Sequence, residues 1–367
     1  KEVEKLAQVP KVLCVNSCTG GLELMMRWLG IQEGDEVIIP AFTYCATANV
    51  VLHCGATPIM VDIKPDDLTI DIEAVKNAIT TKTKAIVPVD LGGMPVDYTK
   101  LLRVVKSNDI KNQFQPRTDI QKQLNRIAVI TDAAHSIGAS YLDQPAAKQA
   151  DITVFSFHAV KNLTTAEGGA ICLNLPDSFD LNEIYAKLNS KTVHGQSKDA
   201  LAKFGKNSWE YDVVEAGYKF NMPDVLAAIG LVEIKRYQNE TLTKRKAIFD
   251  IYSQLLSKYE WAELPVYKTA EKISSYHLYL LRIKNISLEQ RNAIINRIFD
   301  AGVSVNVHYK PLPELTLYKK LGYQSKDYPI SLDTFHRVIT LPVFYDLEKK
   351  QVDRVVEVIV EAVEHYL

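Results

Sequence analysis

Two glycine-rich fingerprints that mark many nucleotide-binding α/β proteins are missing from this sequence. No glycine loop is followed by Lys-Ser or Lys-Thr as in a Walker A motif, and no G-x-G-x-x-G run follows a predicted strand. These absences argue against a P-loop NTPase and against an α/β oxidoreductase that binds a dinucleotide.

The sequence also lacks an excess of either charge and any long apolar run. Lys and Arg number 43 against 44 Asp and Glu, so the net charge is −1, which argues against nucleic acid as the main partner. No stretch approaches the roughly 18 uninterrupted apolar residues of a membrane span, and the charged opening at 1–5 does not have the pattern of a signal peptide. We therefore expect a cytoplasmic protein that binds neither a membrane nor nucleic acid.

Cysteine is scarce and is not arranged as a metal or redox motif. The five cysteines form no C-x-x-C pair, and their odd number in a chain of 367 residues predicts free thiols. Cys14 and Cys18 are four residues apart, but no second pair of Cys or His lies nearby at ligand spacing. We expect no metal site.

Short apolar, β-rich segments alternate with longer amphipathic segments from residue 12 to about residue 174. This alternation predicts βα units around a buried, mostly parallel sheet flanked by helices. Strands are predicted at 12–15, 36–39, 59–61, 85–89, 127–131, 152–155 and 170–173, with helices at 20–29, 46–53, 72–79 and 98–106. The polar stretch at 107–125 predicts a helix extension with a surface loop, which we interpret as an insertion.

The rest of the chain predicts a smaller α+β domain packed on the large one. We place the large domain at residues 1–240 and the small domain at residues 241–367, because the composition changes near Trp261. The remaining predicted elements are a helix and polar loop at 181–206, helices at 222–237 and 241–259, strands at 276–283 and 303–308, and helices from about 287 and about 347.

An aspartate followed by small residues stands at the carboxyl end of a predicted central strand. Asp132 follows the strand at 127–131, and His135 lies three residues further on. Because ligands of open α/β sheets bind at the carboxyl ends of strands, Asp132 could hold a positive charge on a ring nitrogen and His135 could reach the same ligand. The alternative is an Asp that caps the next helix.

A single lysine lies in the loop that follows another predicted strand. The strand ends at Ser156, and the loop carries Lys161 before the pair Gly168-Gly169 and the next strand. A lysine amine forms a Schiff base with an aldehyde when burial or nearby charge lowers its pKa. The alternative is a solvated loop lysine.

Two further turns could complete a binding site. The segment 15–21 joins a strand to a helix through small and hydroxyl residues, where backbone N–H groups and the helix dipole can bind a phosphate, although N-capping by Ser17 or Thr19 would leave the same pattern. In the segment 40–49, Tyr44 occupies another strand-to-helix turn and could lie against a flat ring. A tyrosine in such a position is otherwise a core residue.

Together these features are the parts that a pyridoxal-phosphate enzyme needs, since that cofactor has a phosphate, a ring, a ring nitrogen and an aldehyde. Lys161 follows Asp132 by 161 − 132 = 29 residues. The sequence resembles the DegT/DnrJ/EryC1/StrS family of nucleotide-sugar aminotransferases, which are fold type I enzymes. The resemblance runs from about Lys11 to the C terminus, and its most specific part is the string at 156–169.

The resemblance implies a role for each candidate residue at the cofactor ring. Lys161 would bond to the cofactor aldehyde, and Asp132 would pair with the pyridinium nitrogen. His135 would lie near the ring hydroxyl, and Tyr44 would stack on the ring.

Other matches imply contacts with the phosphate and with a second subunit. Cys18, Thr19 and Ser156 match the phosphate-binding positions of the family. Lys219, in the segment 217–222, matches a position that reaches the phosphate of the neighbouring subunit, so a homodimer is implied; many members have Asn there.

The pair His308-Tyr309 resembles a small-domain motif that lies near the sugar nucleotide. The alternative is a buried polar pair in a strand.

The resemblance also implies an activity. Family members that dehydrate at carbon 3 have His in place of Lys161, whereas the run from Phe157 to Lys161 and the later Glu167-Gly168-Gly169 look like those of members that aminate carbon 4. We expect transamination from L-glutamate to the 4-keto group of a nucleotide-linked sugar, for polysaccharide or glycan synthesis. The alternatives are amination at carbon 3 and a non-catalytic regulator that binds pyridoxal phosphate.

Overall fold

The computed structural model describes residues 1–197 and 211–367, and the remainder of the polar loop predicted to end at residue 206 lies outside them. Within these two ranges the chain forms thirteen strands. They are β1 Lys11–Val15, β2 Glu36–Pro40, β3 Thr57–Val61, β4 Thr83–Ile86, β5 Ala128–Asp132, β6 Ser140–Tyr141, β7 Gln144–Pro145, β8 Ile152–Ser156, β9 Gly169–Leu173, β10 Ala262–Glu263, β11 Lys272–Ile273, β12 Tyr279–Ile283 and β13 Val338–Leu341.

The same two ranges contain fourteen α-helices. They are α1 Glu2–Ala7, α2 Cys18–Trp28, α3 Cys45–His53, α4 Ile72–Ala78, α5 Tyr98–Lys106, α6 Asn108–Gln113, α7 Asp119–Leu124, α8 Leu181–Thr192, α9 Asp224–Arg236, α10 Leu242–Leu256, α11 Leu288–Asp300, α12 Thr316–Lys320, α13 Pro329–Arg337 and α14 Lys349–Glu364. A π-helical turn at Tyr237–Thr241 joins α9 to α10.

The large sheet has seven strands in the order β1-β9-β8-β5-β4-β2-β3. The pairs β2–β3, β2–β4, β4–β5 and β5–β8 are parallel, whereas β9 is antiparallel to both of its neighbours. Strand β1 therefore points the same way as the parallel strands. The carboxyl ends of β1, β2, β5 and β8 consequently meet at one edge of the sheet, as expected for a parallel α/β fold.

Helices cover both faces of this sheet because alternate strand residues are apolar on both sides. On one face, Val37 and Ile39 pack with α2 and α3. On the other face, Ile38 packs with α4 and α5. The predicted α/β architecture, a mostly parallel central sheet flanked by helices, is confirmed.

The C-terminal part of the chain has its own apolar core around a three-stranded antiparallel sheet, β10-β12-β13. Helices α10, α11 and α14 pack on it, and the buried face of α14 carries Val352, Val355, Val356, Ile359 and Val363. The predicted helix from about residue 347 and the strand within 276–283 are present, the latter as β12.

The strand predicted at 303–308 is wrong. Asn306 forms one isolated bridge with Thr340 of β13, and this segment, which the structure describes throughout, contains no strand. The partner strand β13 was not predicted, because a four-residue apolar run gives no periodicity to distinguish a strand from a helix segment.

The polar stretch at 107–125 agrees only in part with the prediction. Helix α6 follows α5 after a single residue, and residues 114–118 form a loop that is exposed at 115–117, but the second short helix, α7, was not predicted. Thr118 Oγ1 and Gln121 Nε2 both donate to Leu29 O at the end of α2, at 3.1 and 3.0 Å. Arg117 Nη1 donates to Asp35 Oδ1 at 3.0 Å. The segment therefore satisfies the terminal carbonyl of α2, which a free surface loop would not do.

No helix in the described part of the chain is long and apolar enough to cross a membrane.

Asp151→Ala is expected to destabilise the sheet strongly. Asp151 Oδ2 accepts from Arg126 Nη1 at 2.7 Å and from Val129 N at 2.9 Å, and the Arg126 and Asp151 side chains are only 7% and 5% exposed. Removing the carboxylate leaves a buried guanidinium unpaired, which costs about 3–5 kcal/mol of unfolding free energy. Urea unfolding followed by circular dichroism measures this cost.

The matched control is Asp119→Ala, which breaks the exposed pair that Asp119 forms with Lys122. We expect it to change the unfolding free energy by less than about 1 kcal/mol. Equal effects of the two substitutions would contradict the prediction.

Candidate active site

A cavity of about 410 Å³ opens where the carboxyl edge of the large sheet faces the C-terminal part of the chain. Nine of the ten residues predicted for the site line it. They are Cys18, Thr19, Tyr44, Asp132, His135, Ser156, Lys161, His308 and Tyr309. The tenth, Lys219, lies outside the cavity with an exposed side chain, and its carbonyl oxygen accepts from Asn16 Nδ2 at 3.3 Å.

The parallel strands explain why residues far apart in sequence meet here. Asp132 is the last residue of β5, Ser156 is the last residue of β8, and Cys18 is the first residue of α2 after β1. Tyr44 is the N-cap residue of α3, after β2. Because the carboxyl ends of these strands share one edge, each side chain arrives at the same opening.

The N-terminus of α2 approaches the sheet unusually closely. A Cβ added at Gly169 would lie 2.7 Å from Cys18 N and 2.7 Å from the carbonyl carbon of Ser17. Ser17 caps the helix, as its sequence position allowed, and its Oγ accepts from Gly20 N at 3.0 Å. The positive end of the α2 dipole is therefore held at the cavity wall, where it favours an anion.

Asp132 is buried and is held by donors on three sides. Its Oδ2 accepts from Thr47 Oγ1 at 2.8 Å, and its Oδ1 accepts from Ala134 N at 3.2 Å and faces the Cys18 thiol at 3.8 Å. Burial raises the pKa of the Asp132 carboxyl, and the hydrogen bond from Thr47 opposes that rise. The contact with Ala134 N closes a turn, and because residues 133–139, all of them described, form no helix between β5 and β6, Asp132 does not cap a helix.

Thr47 was not predicted as a site residue. Thr43 Oγ1 and Thr47 Oγ1 lie 3.0 Å apart, with Thr43 just before the N-cap residue of α3 and Thr47 in the first turn of the helix. Two hydroxyl residues in the turn that follows β2 were the available signal, because such turns lie at the carboxyl edge of the sheet.

Lys161 is half-buried in the cavity wall, so the solvated-loop alternative is wrong. Burial lowers the pKa of its ammonium group, and the negative charge of Asp132 opposes that effect. A lysine whose charged form is disfavoured is a better nucleophile and proton acceptor near neutral pH.

His135 is held as a neutral ring. Its Nδ1 accepts from Gly92 N at 3.2 Å, so the proton belongs on Nε2, which lies 3.1 Å from Tyr309 Oη. Burial, with a smaller effect of the Lys161 charge, lowers the pKa of His135 far below its ordinary value. The ring therefore donates a hydrogen bond into the cavity rather than a positive charge.

His308 and Tyr309 reach the cavity from the C-terminal part of the chain. Thr340 Oγ1 accepts from His308 N at 3.2 Å and faces His308 Nδ1 at 3.0 Å. Burial, with a smaller effect of the Lys161 charge, lowers the pKa of His308 to about 4. At the rim, the Tyr44 ring is 60% exposed and lies 6.1 Å from that of Tyr309, so Tyr44 is not a core residue.

No group of three His, Cys, Asp or Glu residues within the described ranges is arranged to hold a metal ion. The chemistry of the cavity is instead that of one nucleophilic amine, one buried carboxylate, neutral imidazoles and hydroxyls. A half-buried amine and a buried carboxylate in one cavity, at the carboxyl edge of an α/β sheet, are typical of an enzyme that bonds to a carbonyl compound through lysine.

The chain belongs to the DegT/DnrJ/EryC1/StrS aminotransferase family, whose sequence pattern it matches over residues 1–360. It is therefore an aminotransferase of fold type I, and its cofactor is pyridoxal 5′-phosphate (PLP).

Three similar proteins illustrate the family. Spr1654 of Streptococcus pneumoniae, described as a sugar aminotransferase, is 44% identical in its PMP-form, with a TM-score of 0.95 over 100% of this chain and 90% of its own. Its PLP-form gives 42% identity and a TM-score of 0.94, with the same coverage. The spore coat polysaccharide biosynthesis protein SpsC of Bacillus subtilis is 31% identical over 98% of this chain and 87% of its own length.

The third is PseC of Helicobacter pylori, an aminotransferase involved in the biosynthesis of pseudoaminic acid. It is 26% identical, with a TM-score of 0.85 over 99% of this chain and 90% of its own.

The charges and hydrogen-bonding groups of the residues around the cavity suit those of PLP. The close approach that Gly169 permits brings the positive end of α2 and the Thr19 hydroxyl to the wall, which suits a phosphate. Buried Asp132 offers a carboxylate to a ring N–H, and Lys161 offers an amine to an aldehyde. The donor set therefore matches each functional group of the cofactor.

A second buried carboxylate supports the loops around His135. Asp90 Oδ1 accepts from Val96 N at 2.9 Å and from Tyr98 Oη at 2.8 Å, and Asp90 Oδ2 accepts from Ser136 Oγ at 2.7 Å. Burial raises the pKa of Asp90 to about 6, although these hydrogen bonds oppose the rise.

Asp90→Asn is expected to remove a pH-dependent part of the stability. Because the folded pKa of about 6 exceeds the ordinary value of 3.8, Asp90 stabilises the fold most below pH 3.8, and this contribution is lost as the pH rises through 6. The unfolding free energy of the wild type relative to the variant should increase by roughly 2 kcal/mol between pH 7 and pH 4. Urea titrations at several pH values measure it, and a pH-independent difference would contradict the assignment.

Proposed function

We propose that this enzyme transfers the amino group of L-glutamate to the 4-keto group of a nucleotide-linked sugar. The observation that carries the proposal is the half-buried amine of Lys161 in one cavity with the buried carboxylate of Asp132, in a sugar aminotransferase fold. The product would be an amino-sugar nucleotide for polysaccharide or glycan synthesis, which is supported by the similarity to the spore coat polysaccharide biosynthesis protein SpsC.

Lys161 would act as the base and acid of the reaction. Its depressed pKa leaves a larger fraction of the amine uncharged, so Nζ can take a proton from the α-carbon of glutamate and deliver it again on the same face. PLP supplies the electron-withdrawing ring that makes this α-carbon acidic.

Asp132 would keep the ring nitrogen protonated. The hydrogen bond from Thr47 favours the ionised carboxylate that this role needs, and the wall around Asp132 excludes water that would weaken the ion pair. His135 would donate its Nε2 proton towards the ring hydroxyl, in competition with Tyr309 Oη.

The remaining predicted residues would bind the phosphate and the ring face of PLP and the sugar nucleotide. The hydroxyls of Thr19 and Ser156 and the backbone at Cys18 would bind the phosphate, and Tyr44 would cover the ring face. His308 and Tyr309 would contact the sugar nucleotide from the C-terminal side.

The carbon 4 preference depends on the resemblance of the loop around Lys161. His158 and Glu167 flank it, and their Nε2 and Oε1 atoms lie 3.6 Å apart at the cavity wall. Amination at carbon 3 would use the same residues with a different sugar pose, and proton NMR of the product distinguishes the two positions. A non-catalytic regulator would bind PLP without responding to glutamate.

We also propose that the enzyme is a homodimer and that each subunit divides into domains at residues 1–240 and 241–367. No residue of α9 is buried in the single chain, although Val225, Ile229 and Val232 form one apolar face at 74%, 42% and 64% exposure. A second copy covering this face would also bring the exposed Lys219 towards the partner's cavity.

The apolar core that begins at Ile248 supports the proposed domain boundary between residues 240 and 241.

Lys161→Ala is expected to abolish turnover. The purified wild type loaded with PLP should show the yellow colour of lysine-bound cofactor, and L-glutamate should bleach it because the amino group is transferred. The variant lacks the amine and should show neither. A rate near that of the wild type would remove Lys161 from its role.

Asp132→Ala serves as the comparison in the same experiment. It should keep the lysine but bind PLP weakly and bleach slowly, because the ring nitrogen loses its counter-ion. A wild-type colour that is indifferent to glutamate would point to a different amino donor or to the regulator.

Val232→Glu should convert the dimer to a monomer in sedimentation velocity, because it places a charge in the apolar face of α9. Phe299→Glu is the control, since Phe299 is 47% exposed on α11 in the C-terminal part of the chain. A Val232→Glu protein that sediments as the wild type does would exclude α9 from the interface.

A further inference from the structure

We propose that Asn162 and His277 form a positioning pair that fixes Lys161 relative to His135. The proposal depends on the proposed role of Lys161 and adds two residues that the sequence did not single out. Neither residue lines the cavity, so they act through their neighbours.

Asn162 follows Lys161 in the chain and is buried, with all of its amide atoms engaged. Its Nδ2 donates to Ser275 O at 2.7 Å and lies 3.4 Å from Tyr237 Oη, so the Oδ1 atom is the one that faces His277 Nδ1 at 2.8 Å. The carbonyl of Ser275 determines the orientation of the amide, because a carbonyl can only accept.

The orientation of Asn162 in turn determines the tautomer of His277. An amide oxygen only accepts, so His277 Nδ1 must carry the proton and donate it. Burial lowers the pKa of His277 far below its ordinary value, which keeps the ring neutral. The His277 ring packs against that of His135, with centroids 4.4 Å apart.

The segment that carries His277 is itself held rigidly. His277 N donates to Gly92 O at 3.1 Å, and Ser275 N donates to Gly93 O at 3.1 Å. Buried Arg245 donates to Tyr276 O at 2.9 Å and to His277 O at 2.7 Å.

The segment 275–277 therefore contacts both the loop that carries His135 and the loop that carries Lys161. Ser275 Oγ donates to His135 O, while Ser275 O accepts from Asn162, the neighbour of Lys161. Tyr237 Oη connects these two loops a second time, because it donates to Ile137 O at 2.6 Å and contacts Asn162. One short segment from the C-terminal part thus fixes the loops that present His135 and Lys161.

Fixing the backbone at Lys161 matters because the side chain is long and flexible. Its four methylene groups leave the amine mobile unless the Cα is immobile, and proton transfer is sensitive to displacements of about 1 Å. A buried polar pair that loses one member leaves the other unsatisfied and free to move. Loss of the Asn162–His277 contact should therefore slow proton transfer more than it weakens glutamate binding.

The test compares His277→Leu, Asn162→Ala and their double variant, all loaded with PLP. His277→Asn is the conservative variant, because the Asn amide nitrogen can replace Nδ1 as the donor. Ser253→Ala is the control, since it removes the 3.0 Å contact with Tyr279 Oη in the C-terminal core. Stopped-flow absorption gives the saturating rate of glutamate-dependent bleaching and the half-saturating concentration, visible circular dichroism reports the orientation of bound PLP, and thermal unfolding reports stability.

We expect His277→Leu and Asn162→Ala each to lower the saturating rate about 10- to 100-fold, with the half-saturating concentration within about threefold of the wild type. The visible dichroism should weaken in both. His277→Asn should restore most of the rate, and the double variant should be no slower than the slower single variant, because the two residues act through one contact.

Wild-type rate and dichroism in His277→Leu, effects that multiply in the double variant, or an equal loss of rate in Ser253→Ala would each overturn the positioning role. If either single variant fails to unfold cooperatively, the other single variant and His277→Asn decide the question. If the wild type itself does not respond to glutamate, the proposed function fails, whereas the dichroism of the variants still tests the pair.

Discussion

The site depends on the burial of opposite charges at the one edge where parallel strands end. Burial disfavours the charged forms of both Asp132 and half-buried Lys161, and each group favours the charged form of the other. The sheet makes this possible, because β5 and β8 are adjacent and parallel, so Asp132, which is opposite Val154, and Ser156, two residues further on, end at the same edge. The other residues of the site provide hydrogen-bond partners for the polar groups that burial removes from water.

Polar partners come from every part of the chain. Thr47 of α3 holds Asp132, the backbone at Gly92 sets the tautomer of His135, and Thr340 of β13 contacts His308. Each partner removes the cost of an unpaired buried group and at the same time fixes a side chain that faces the cavity. Stability and function are coupled here because the same hydrogen bonds serve both.

Much of this could be predicted from the sequence, because the relevant signals are local. The alternation of apolar segments predicted the seven strands of the large sheet, although β3 and β4 each begin two residues earlier than expected and β4 ends three residues earlier. Nine of the ten candidate residues line the cavity, because small residues and single charges at strand ends are visible in the sequence. The strand predicted at 303–308 was wrong and helix α7 was not predicted, because the contacts of these segments are with distant parts of the chain.

The sequence by itself determined the α/β class, the order of the strands along the chain and the identity of the reactive groups, since these follow from periodicity and residue type. Only the tertiary structure decided that His277 contacts Asn162, which lies 277 − 162 = 115 residues earlier, and that Thr47 contacts Asp132, 132 − 47 = 85 residues later. These contacts are set by the packing of elements that the local pattern does not relate, so no spacing in the sequence could reveal them.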